Sequence, residues 1–378
     1  ADYIGSVFGR DRGKKRGYPG HEEVELALVK LYEATGAGRY LRLAKYFIDE
    51  RGRRPHYFDK EARARGEDPK AFKHSAPEYG QTHLPVRKQK KAVGHAVRAM
   101  YLYSGMTDIA VETNDTGLLN ACRRLWQNVT QKRMHITGAV GPNSHNEGFS
   151  TDYDIPAEGA YLETCGAVGL ALWAYRMFLA EADGQYVDVM ERSLYNGVLA
   201  CIGKDGRHFF YGNPLRAHPG FDRRGPFVGE GYNISRFEWT NPPCCPTNMV
   251  RVIAQFPHFI YSLRDDIVFV NHYATGKTTF AIGERTFRVE QQTDYPWQGR
   301  VAMKVHGDRQ TTWTLALRIP GWCRDATLKV CGRKLKLSAI TRNGYAYVER
   351  CWGPGDAVEL NMPMPVERIR SHPRVRQT

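Results

Sequence analysis

The spacing of hydrophobic residues divides this chain of 378 residues into two regions. In the first region apolar side chains recur at every third or fourth position, which is typical of helices with one buried face. Between His21 and Thr35, for example, they fall at Val24, Leu28, Leu31 and Tyr32. The helices predicted in this way are His21–Thr35, Arg39–Glu50, Ala92–Tyr103, Thr116–Gln131, Gly166–Ala182, Tyr186–Ala200 and Thr247–Leu263.

Short glycine-containing turns separate the predicted helices. Thr35-Gly36, Ser104-Gly105 and Asp183-Gly184 each stand between two periodic stretches. Antiparallel helix pairs that are joined by short turns and repeated along a chain stack into rings or solenoids. We therefore expect a helical toroid of the (α/α) barrel type over residues 1–264.

Near Asp265 the period of the hydrophobic pattern changes to two. The clearest case is Trp313–Ile319, where the larger apolar residues alternate along the stretch. Gly, Pro, Asn and Asp residues separate such stretches, which is typical of short strands. Strands are predicted at Ile267–His272, Thr279–Ala281, Phe287–Gln291, Val301–Val305, Trp313–Ile319 and Ala326–Val330. The pattern indicates an antiparallel β-sandwich over residues 265–378, so the chain belongs to the α+β multidomain class.

The charge of the chain raises the question of an acidic partner. Lys and Arg exceed Asp and Glu by 14, and the stretch from Arg51 to Arg98 contains 13 basic against 5 acidic residues. The basic residues follow no single long helix and form no RNA-binding or zinc-finger motif. We therefore interpret this basic stretch as a solvated surface and do not expect nucleic acid as a partner. A basic groove for an acidic polysaccharide is the alternative.

The chain contains no run of about 18 apolar residues and no signal-peptide core, so no membrane partner is predicted. Its eight cysteines include no Cys-x-x-Cys pair and are too sparse for a disulfide scaffold. Reduced thiols are usual in the cytoplasm, which is the expected location. A homodimer is compatible with these features. Five cysteines are predicted to be buried packing residues: Cys122, Cys201, Cys323, Cys331 and Cys351.

The other three cysteines stand directly before predicted helices. Glu163 and Cys165 precede one helix, and Cys244 and Cys245, which lie between prolines, precede another. A helix N-terminus favours the thiolate, which is the form that attacks carbon and binds metal. Three thiolates and one carboxylate would form a tetrahedral zinc site. Ligands about 80 residues apart match no standard zinc motif, so an inert role in packing is the alternative.

Two long stretches show no periodicity, Ile136–Tyr161 and Cys201–Cys244, and loops of that length are usually functional. Retaining glycosidases need two carboxyl groups about 5–5.5 Å apart. The sequence alone does not choose between the acids of the first loop and does not exclude ordinary surface roles. These candidate acids are Glu147, Asp152, Asp154 and Glu158, with Glu163 just beyond. Aromatic residues that would suit sugar stacking, or the core, are Phe149, Tyr153, Tyr161, Phe209, Phe210, Tyr211, Phe221 and Tyr232.

Six short strings, spread over most of the chain, carry a family resemblance. They are Gly94-His95-Ala96, Ser144-His-Asn-Glu147-Gly-Phe149, Tyr161-Leu-Glu163-Thr-Cys165, Phe209-Phe-Tyr211-Gly-Asn213-Pro214-Leu215, Cys244-Cys245-Pro246-Thr-Asn248 and Leu317-Arg-Ile-Pro320-Gly-Trp322. In this order they resemble glycoside hydrolase family 127, the β-L-arabinofuranosidase type, with its sister family 146 close by. The combination of Glu-Thr-Cys with Cys-Cys-Pro is highly specific.

The resemblance implies a retaining exo-glycosidase on an (α/α)6 barrel with β-sandwich domains, which releases L-arabinofuranose from β-linked arabinosides in oligosaccharides or glycans. It implies a zinc-bound cysteine as the nucleophile, which by motif is Cys244, and Glu147 as the general acid/base. His95 and Tyr211 match residues of the sugar pocket. The zinc ligands carried over in the same way are Glu163, Cys165, Cys244 and Cys245.

Three alternatives stay open at this point. The first is another sugar, such as an acidic sugar of a pectic side chain, and the second is a non-catalytic carbohydrate-binding protein with a structural zinc. In the third, Glu163 replaces Glu147 as the acid/base, although a carboxylate that holds zinc is a poor proton donor. Family members are also longer at both ends. Further helices are therefore expected before Ala1 and further β structure after the basic tail (Arg368, Arg370, Arg374 and Arg376).

Overall fold

The computed structural model of the chain describes residues 1–71, 76–216, 235–239 and 242–375. Three residues named above, Phe221, Tyr232 and Arg376, lie outside this part. The described chain forms two compact units. The first unit is helical and comprises Ala1–Ala180, Arg192–Val250 and the chain from Ser371 onwards; the second is mainly β and comprises Glu181–Glu191 and Arg251–Arg370. The predicted order, a helical region followed by a β-sandwich, is confirmed.

Nine α-helices longer than one turn, described in chain order, precede the strands in the described part of the chain. Within the first unit α2 packs against α3 and α5, and α5 packs against α6, as expected for successive antiparallel pairs. None of the helices in the described part of the chain combines the length and apolar character that crossing a lipid bilayer needs. The nine are α1 (Asp2–Val7), α2 (Val24–Thr35), α3 (Gly38–Glu50), α4 (Tyr57–Ala64), α5 (Ala96–Glu112), α6 (Thr116–Lys132), α7 (Thr164–Glu181), α8 (Gly184–Arg192) and α9 (Cys244–Gln255).

The predicted turn at Ser104-Gly105 is wrong, because α5 continues through it to Glu112. Ser104 is buried and its hydroxyl donates to the carbonyl of Met100, which keeps the side chain within the helix. Gly105 is a packing position: a Cβ atom there would lie 3.1 Å from the Cβ of Glu25 in α2. The glycine thus permits two helices to approach closely.

Two further helix predictions are too long. The helix predicted at Tyr186–Ala200 ends at Arg192, and a π-helical segment, Ser193–Val198, follows it. The helix predicted at Thr247–Leu263 ends at Gln255, before a single turn, α10 (Pro257–Ile260), and a strand. Pro257 has no N–H to donate to the preceding turn, which is the physical reason for the interruption.

The second unit contains a β-sandwich of two sheets. The strand orders are β1-β2-β6-β10-β9 and β3-β4-β5-β11-β7-β8, and every pair is antiparallel except β2 with β6. Both sheets contribute to one core around Trp313, Trp352 and Phe287. The strands are β1 (Tyr261–Arg264), β2 (Ile267–Val270), β3 (Gly276–Ile282), β4 (Arg285–Thr293), β5 (Arg300–His306), β6 (Thr312–Arg318), β7 (Thr327–Val330), β8 (Arg333–Leu335), β9 (Thr341–Arg342), β10 (Tyr345–Cys351) and β11 (Pro354–Asn361), with one short helix, α11 (Leu337–Ile340).

The prediction of five buried packing cysteines is correct for Cys122, Cys201 and Cys323 and wrong for Cys331 and Cys351, which are exposed. Cys331 occupies the turn between β7 and β8 with φ of 48°, a conformation found in turns rather than in the core. Cys351 ends β10, where the strand leaves the sheet.

Candidate active site

Two helix N-termini bring the sulfur ligands together. Cys165 is the second residue of α7, and Cys244 and Cys245 are the first two residues of α9. One ligand atom from each of these cysteines and from Glu163 lies within 4.8 Å of the other three. The placement before helices that the sequence indicates is therefore also a convergence in space.

The contacts within this sulfur cluster are specific. The Sγ atom of Cys244 lies 3.3 Å from Oε1 of Glu163, and the Sγ atoms of Cys165 and Cys245 are 3.5 Å apart. Cys244 and Cys245 are separated by 3.8 Å between sulfurs. These sulfurs are too far apart to be disulfide-bonded. Asn248, one turn into α9, donates its amide to the sulfur of Cys165 at 3.0 Å.

The cluster has the properties of a metal site. Glu163, Cys165 and Cys245 are buried, and the second carboxylate oxygen of Glu163 is buried without a hydrogen-bond partner. A buried carboxylate oxygen with no partner is costly unless a cation or donor satisfies it. The four residues could therefore hold a metal ion.

Electrostatics distinguishes Cys244 from its neighbours. Hydrogen bonds from Cys165 and Cys245 lower the pKa of Cys244 to about 3, and Glu163 and Tyr211 add to the effect. Donation to Cys244 raises the pKa of Cys165, and burial raises the pKa of Cys245. Of the three thiols, Cys244 is therefore the one that ionises most readily, and it is also the one that is partly exposed.

A second group of side chains surrounds Glu147. Tyr79 donates its hydroxyl to Oε1 of Glu147 at 3.3 Å, and Tyr161 donates to Oε2 at 3.2 Å. The Nε2 atom of His95 lies 3.5 Å from Oε2. Because Nδ1 of His95 accepts from the backbone N–H of Arg98, the neutral ring carries its proton on Nε2, facing Glu147. These donors, His95 first, lower the pKa of Glu147 to about 2.

Close backbone contacts fix Glu147 beside the start of α5. The backbone N–H of Ala96 donates to the carbonyl of Glu147, and that of Phe149 donates to the carbonyl of Gly94. A Cβ atom on Gly148 would lie 1.7 Å from the Gly94 oxygen. Only glycine permits this approach, which explains the presence of Gly148 beside Glu147.

The two groups meet at Glu163. Carboxylate oxygens of Glu163 and Glu147 and a ring nitrogen of His95 lie within 4.8 Å of one another. The hydroxyl of Tyr211 lies 3.1 Å from that of Tyr161, which contacts Glu147. All seven residues that the resemblance assigns to the site therefore converge within the first unit.

The remaining candidate acids are engaged in ordinary ion pairs or hydrogen bonds. Asp152 accepts from Arg133 at 2.8 Å and from the amide of Asn128. Glu158 pairs with Arg216 at 2.9 Å, and Asp154 accepts from the hydroxyl of Ser150. None of these three carboxylates belongs to the metal-ligating groups found among the described residues.

Sequence reasoning assigned no role to three residues of the site. Tyr79 stands 68 positions from Glu147, so no local signal could have revealed it. His21 lies with its ring centroid 6.4 Å from that of His95 and 6.2 Å from that of Tyr101, and burial lowers the pKa of His21 to about 4. Asn248 could have been found, because it follows Cys245 by three residues on one helix face.

The chain matches two family models. "Beta-L-arabinofuranosidase, GH127 catalytic domain" covers residues 1–258, and "Beta-L-arabinofuranosidase, GH127 middle domain" covers residues 267–364. The chain belongs to glycoside hydrolase family 127. As a member of family 127 it carries the Glu-Thr-Cys and Cys-Cys-Pro strings within the catalytic-domain match.

Similar family 127 proteins agree with this assignment. The non-reducing end β-L-arabinofuranosidase of Bifidobacterium longum subsp. longum is 37% identical over 387 residues, covering 100% of this chain and 57% of that protein. A crystal structure of a GH127 β-L-arabinofuranosidase from Geobacillus stearothermophilus T6 is 46% identical with a TM-score of 0.94, covering 99% of this chain and 59% of that chain. A second GH127 β-arabinofuranosidase structure is 34% identical with a TM-score of 0.85, covering 99% and 56%. The chain spans less than two thirds of the length of these relatives.

Proposed function

We propose that this chain carries the catalytic site of a retaining exo-glycosidase that hydrolyses terminal β-L-arabinofuranosides. The observation that carries the proposal is the convergence of a partly exposed, low-pKa cysteine, Cys244, and a hydrogen-bonded carboxylate, Glu147, each within 4.8 Å of a carboxylate oxygen of Glu163. The names of the two closely aligned β-L-arabinofuranosidases support the choice of sugar. Free thiols at the site fit a reducing compartment and so support a cytoplasmic location.

Cys244 is the nucleophile in this proposal. The thiolate is the reactive form of cysteine, and a lowered pKa maintains it at neutral pH without a separate base. Its partial exposure leaves the sulfur accessible, whereas Cys165 and Cys245 are 1% and 0% exposed. This difference in exposure argues against a purely structural role for the whole cluster.

Zinc is the metal that this donor set fits. Glu163, Cys165, Cys244 and Cys245 offer three sulfurs and one oxygen, and the buried orphan oxygen of Glu163 is available for a cation. When bound, zinc would supply positive charge that keeps the thiolates deprotonated. The buried Cys165 and Cys245 would then serve to hold the site, and Asn248 would orient the sulfur of Cys165.

Glu147 is proposed as the general acid and base, in preference to Glu163. Glu163 is 4% exposed and belongs to the sulfur cluster, whereas the side chain of Glu147 is 30% exposed. With its pKa lowered to about 2, Glu147 is ionised in the free protein, which is the form that can accept a proton from water. A bound glycoside would compete with Tyr79 and Tyr161 for the carboxylate oxygens and exclude water. Both changes raise the pKa of Glu147, as the acid role requires.

The reaction then proceeds in two balanced steps. The sulfur of Cys244 forms a bond to the anomeric carbon while the glycosidic C–O bond breaks, and Glu147 gives its proton to the departing oxygen. In the second step Glu147 takes a proton from water, the water oxygen bonds to the anomeric carbon, and the C–S bond breaks to restore the thiolate. Two inversions give net retention.

The contacts of His95 and Tyr211 support the sugar-binding roles proposed for them. His95 presents a ring N–H towards the Glu147 carboxylate, so the same face can donate to a sugar hydroxyl. Tyr211 is 3% exposed, and its hydroxyl contacts that of Tyr161. Fixed donors of this kind orient a sugar at little cost in entropy.

The test compares wild-type protein with Cys244→Ser on 4-nitrophenyl β-L-arabinofuranoside. We expect the substitution to reduce kcat by about a thousandfold or more, because serine at neutral pH is not ionised. Cys122→Ser, at a buried cysteine of α6, controls for a general effect of losing a thiol. Wild-type turnover by Cys244→Ser would overturn the proposal. Release of a different sugar from mixed β-linked glycans would instead support the alternative specificity within the family.

A further inference from the structure

We propose that Gln81 is a positioning residue for the Glu147 carboxyl group, acting through Tyr79 and His95. The inference rests on the proposed function, because it concerns the acid/base of that reaction. Gln81 is fully buried and lies outside every sequence string that carries the family resemblance. It touches neither the sulfur cluster nor Glu147 through the hydrogen bonds of its own side chain.

A single amide group joins the two chain segments that hold Glu147. Nε2 of Gln81 donates to the carbonyl oxygen of Tyr79 at 3.2 Å, of Val93 at 2.8 Å and of His95 at 3.2 Å. The backbone N–H of His95 also donates to the carbonyl of Tyr79 at 3.1 Å. The main chains of Tyr79 and His95 are thus locked to each other at one point.

The orientation of this amide is dictated by its surroundings. All three contacts are carbonyl oxygens, which only accept, so the NH2 group must face them. Its two protons serve three acceptors, so one proton is shared. The Oε1 atom of Gln81 is buried without a hydrogen-bond partner, which costs free energy. The three hydrogen bonds that the NH2 group donates offset this cost.

Tyr79 and His95 contact different oxygens of the Glu147 carboxylate. The Tyr79 hydroxyl reaches Oε1 of Glu147, and the His95 ring reaches Oε2. Moving either main chain would rotate or shift the carboxyl group. Acid catalysis depends on that position, since a misplacement of about 1 Å can cost about a hundredfold in rate.

The experiment uses Gln81→Met, which keeps the length and apolar volume of the side chain but removes its donors. Two β-L-arabinofuranosides are compared through kcat/KM: a disaccharide, whose leaving oxygen needs a proton, and the 4-nitrophenyl glycoside, whose leaving group departs as a stable anion. We expect a loss of about 10- to 100-fold on the disaccharide and a change of less than about threefold on the nitrophenyl substrate. A residue with a merely structural role would lower both values together.

Gln291→Met is the matched control. Gln291 in β4 is also buried, its amide donates to the hydroxyl of Tyr261 at 2.6 Å, and its Oε1 atom likewise has no hydrogen-bond partner. It should change the two kcat/KM values by the same factor. If Gln81→Met does not fold, Gln81→Asn is the second variant. It keeps the polar amide, but its side chain is one carbon too short to make the same contacts. It should show the same selective loss.

Each outcome is decisive. Equal losses on both substrates, or no loss on either, would overturn the role of Gln81 while leaving the proposed function standing. A selective loss in Gln291→Met as large as in Gln81→Met would also overturn it. Wild-type protein that is inactive on both glycosides would overturn the proposed function, and the role of Gln81 with it.

Discussion

The Sγ atom of Cys244 lies 3.3 Å from Oε1 of Glu163, although 81 positions separate the two residues. Glu163 is therefore common to the sulfur cluster and to the group around Glu147. Its carboxylate lies next to both the proposed nucleophile and the proposed acid/base. A cation held by Glu163 would thus influence the charge on both partners of the reaction.

The first prediction concerns the metal. Purified protein analysed by metal mass spectrometry should contain about one zinc per chain, because the four donors form one tetrahedral set. Cys165→Ala removes one buried ligand and should lose most of it. Cys122→Ala removes an equally buried thiol outside the cluster and should retain it. Zinc retained in Cys165→Ala, or absent from freshly purified reduced wild-type protein, would contradict a four-ligand site.

The second prediction separates the two glutamates. Glu147→Gln should keep its zinc and lower kcat/KM on a β-L-arabinofuranosyl disaccharide by about a hundredfold or more, since an amide neither gives nor takes the proton. Glu163→Gln should lose zinc, because an amide is a poor ligand for it. Metal analysis and kinetics on the same preparations check both. The reverse pattern would assign acid/base catalysis to Glu163.

The parts of the site that sequence reasoning could find are those with local signals. Cys165, Cys244 and Cys245 lie in the first two positions of α7 and α9, and a position at a helix start alone suggests reactive thiols. The alternating pattern of Trp313–Ile319 predicts a strand, and β6 occupies Thr312–Arg318. Each of the six predicted strands overlaps an observed one.

The features that sequence reasoning missed depend on contacts distant in the chain. Ser104 and Gly105 resemble a turn, but burial against α2 keeps them within α5. Tyr79 donates to Glu147, 68 positions away, and Gln81 donates to Val93 and His95, 12 and 14 positions away. Periodicity carries no information about such contacts. Strands β1 and β8 to β11 lie outside the six predicted strands. In β11 the charged Asp356 occupies an inward position in line with Val358 and Leu360, which interrupts the apolar pattern.

The third prediction tests the close backbone approach beside Glu147. A Cβ atom on Gly94 would lie 1.8 Å from the carbonyl oxygen of Glu78, and φ there is 69°. Gly94→Ala should therefore cost at least about 3 kcal/mol in the free energy of unfolding, measured in urea, because the backbone must move. Gly66, with φ of 77° and no atom within 4 Å of its Cβ position, is the control.

Gly66→Ala has the same backbone penalty without the clash, so its cost should be about 1 kcal/mol. The difference between the two variants isolates the contact with Glu78. Equal costs would mean that the segments around Tyr79 and His95 can separate freely, which would contradict a rigid support for Glu147.

The fourth prediction concerns a buried glutamate near the site. Glu22 is fully buried, and its Oε1 accepts from Arg51 at 2.6 Å while Oε2 has no partner. Burial outweighs the attraction of Arg51 and raises the pKa of Glu22 from 4.5 to about 7. The folded state thus binds this proton more tightly than the unfolded state does.

Protonated Glu22 therefore makes its full contribution to the free energy of unfolding below pH 4.5, and this contribution is lost as the pH rises through about 7. Between these limits the unfolding free energy of wild-type protein should fall by about 3 kcal/mol relative to Glu22→Gln, which cannot ionise. Urea unfolding of both proteins across this pH range measures the difference. Glu112→Gln, at an exposed position of α5, controls for the loss of a surface charge. A difference between wild type and Glu22→Gln that does not vary with pH would mean that Arg51 keeps Glu22 ionised in the folded protein throughout.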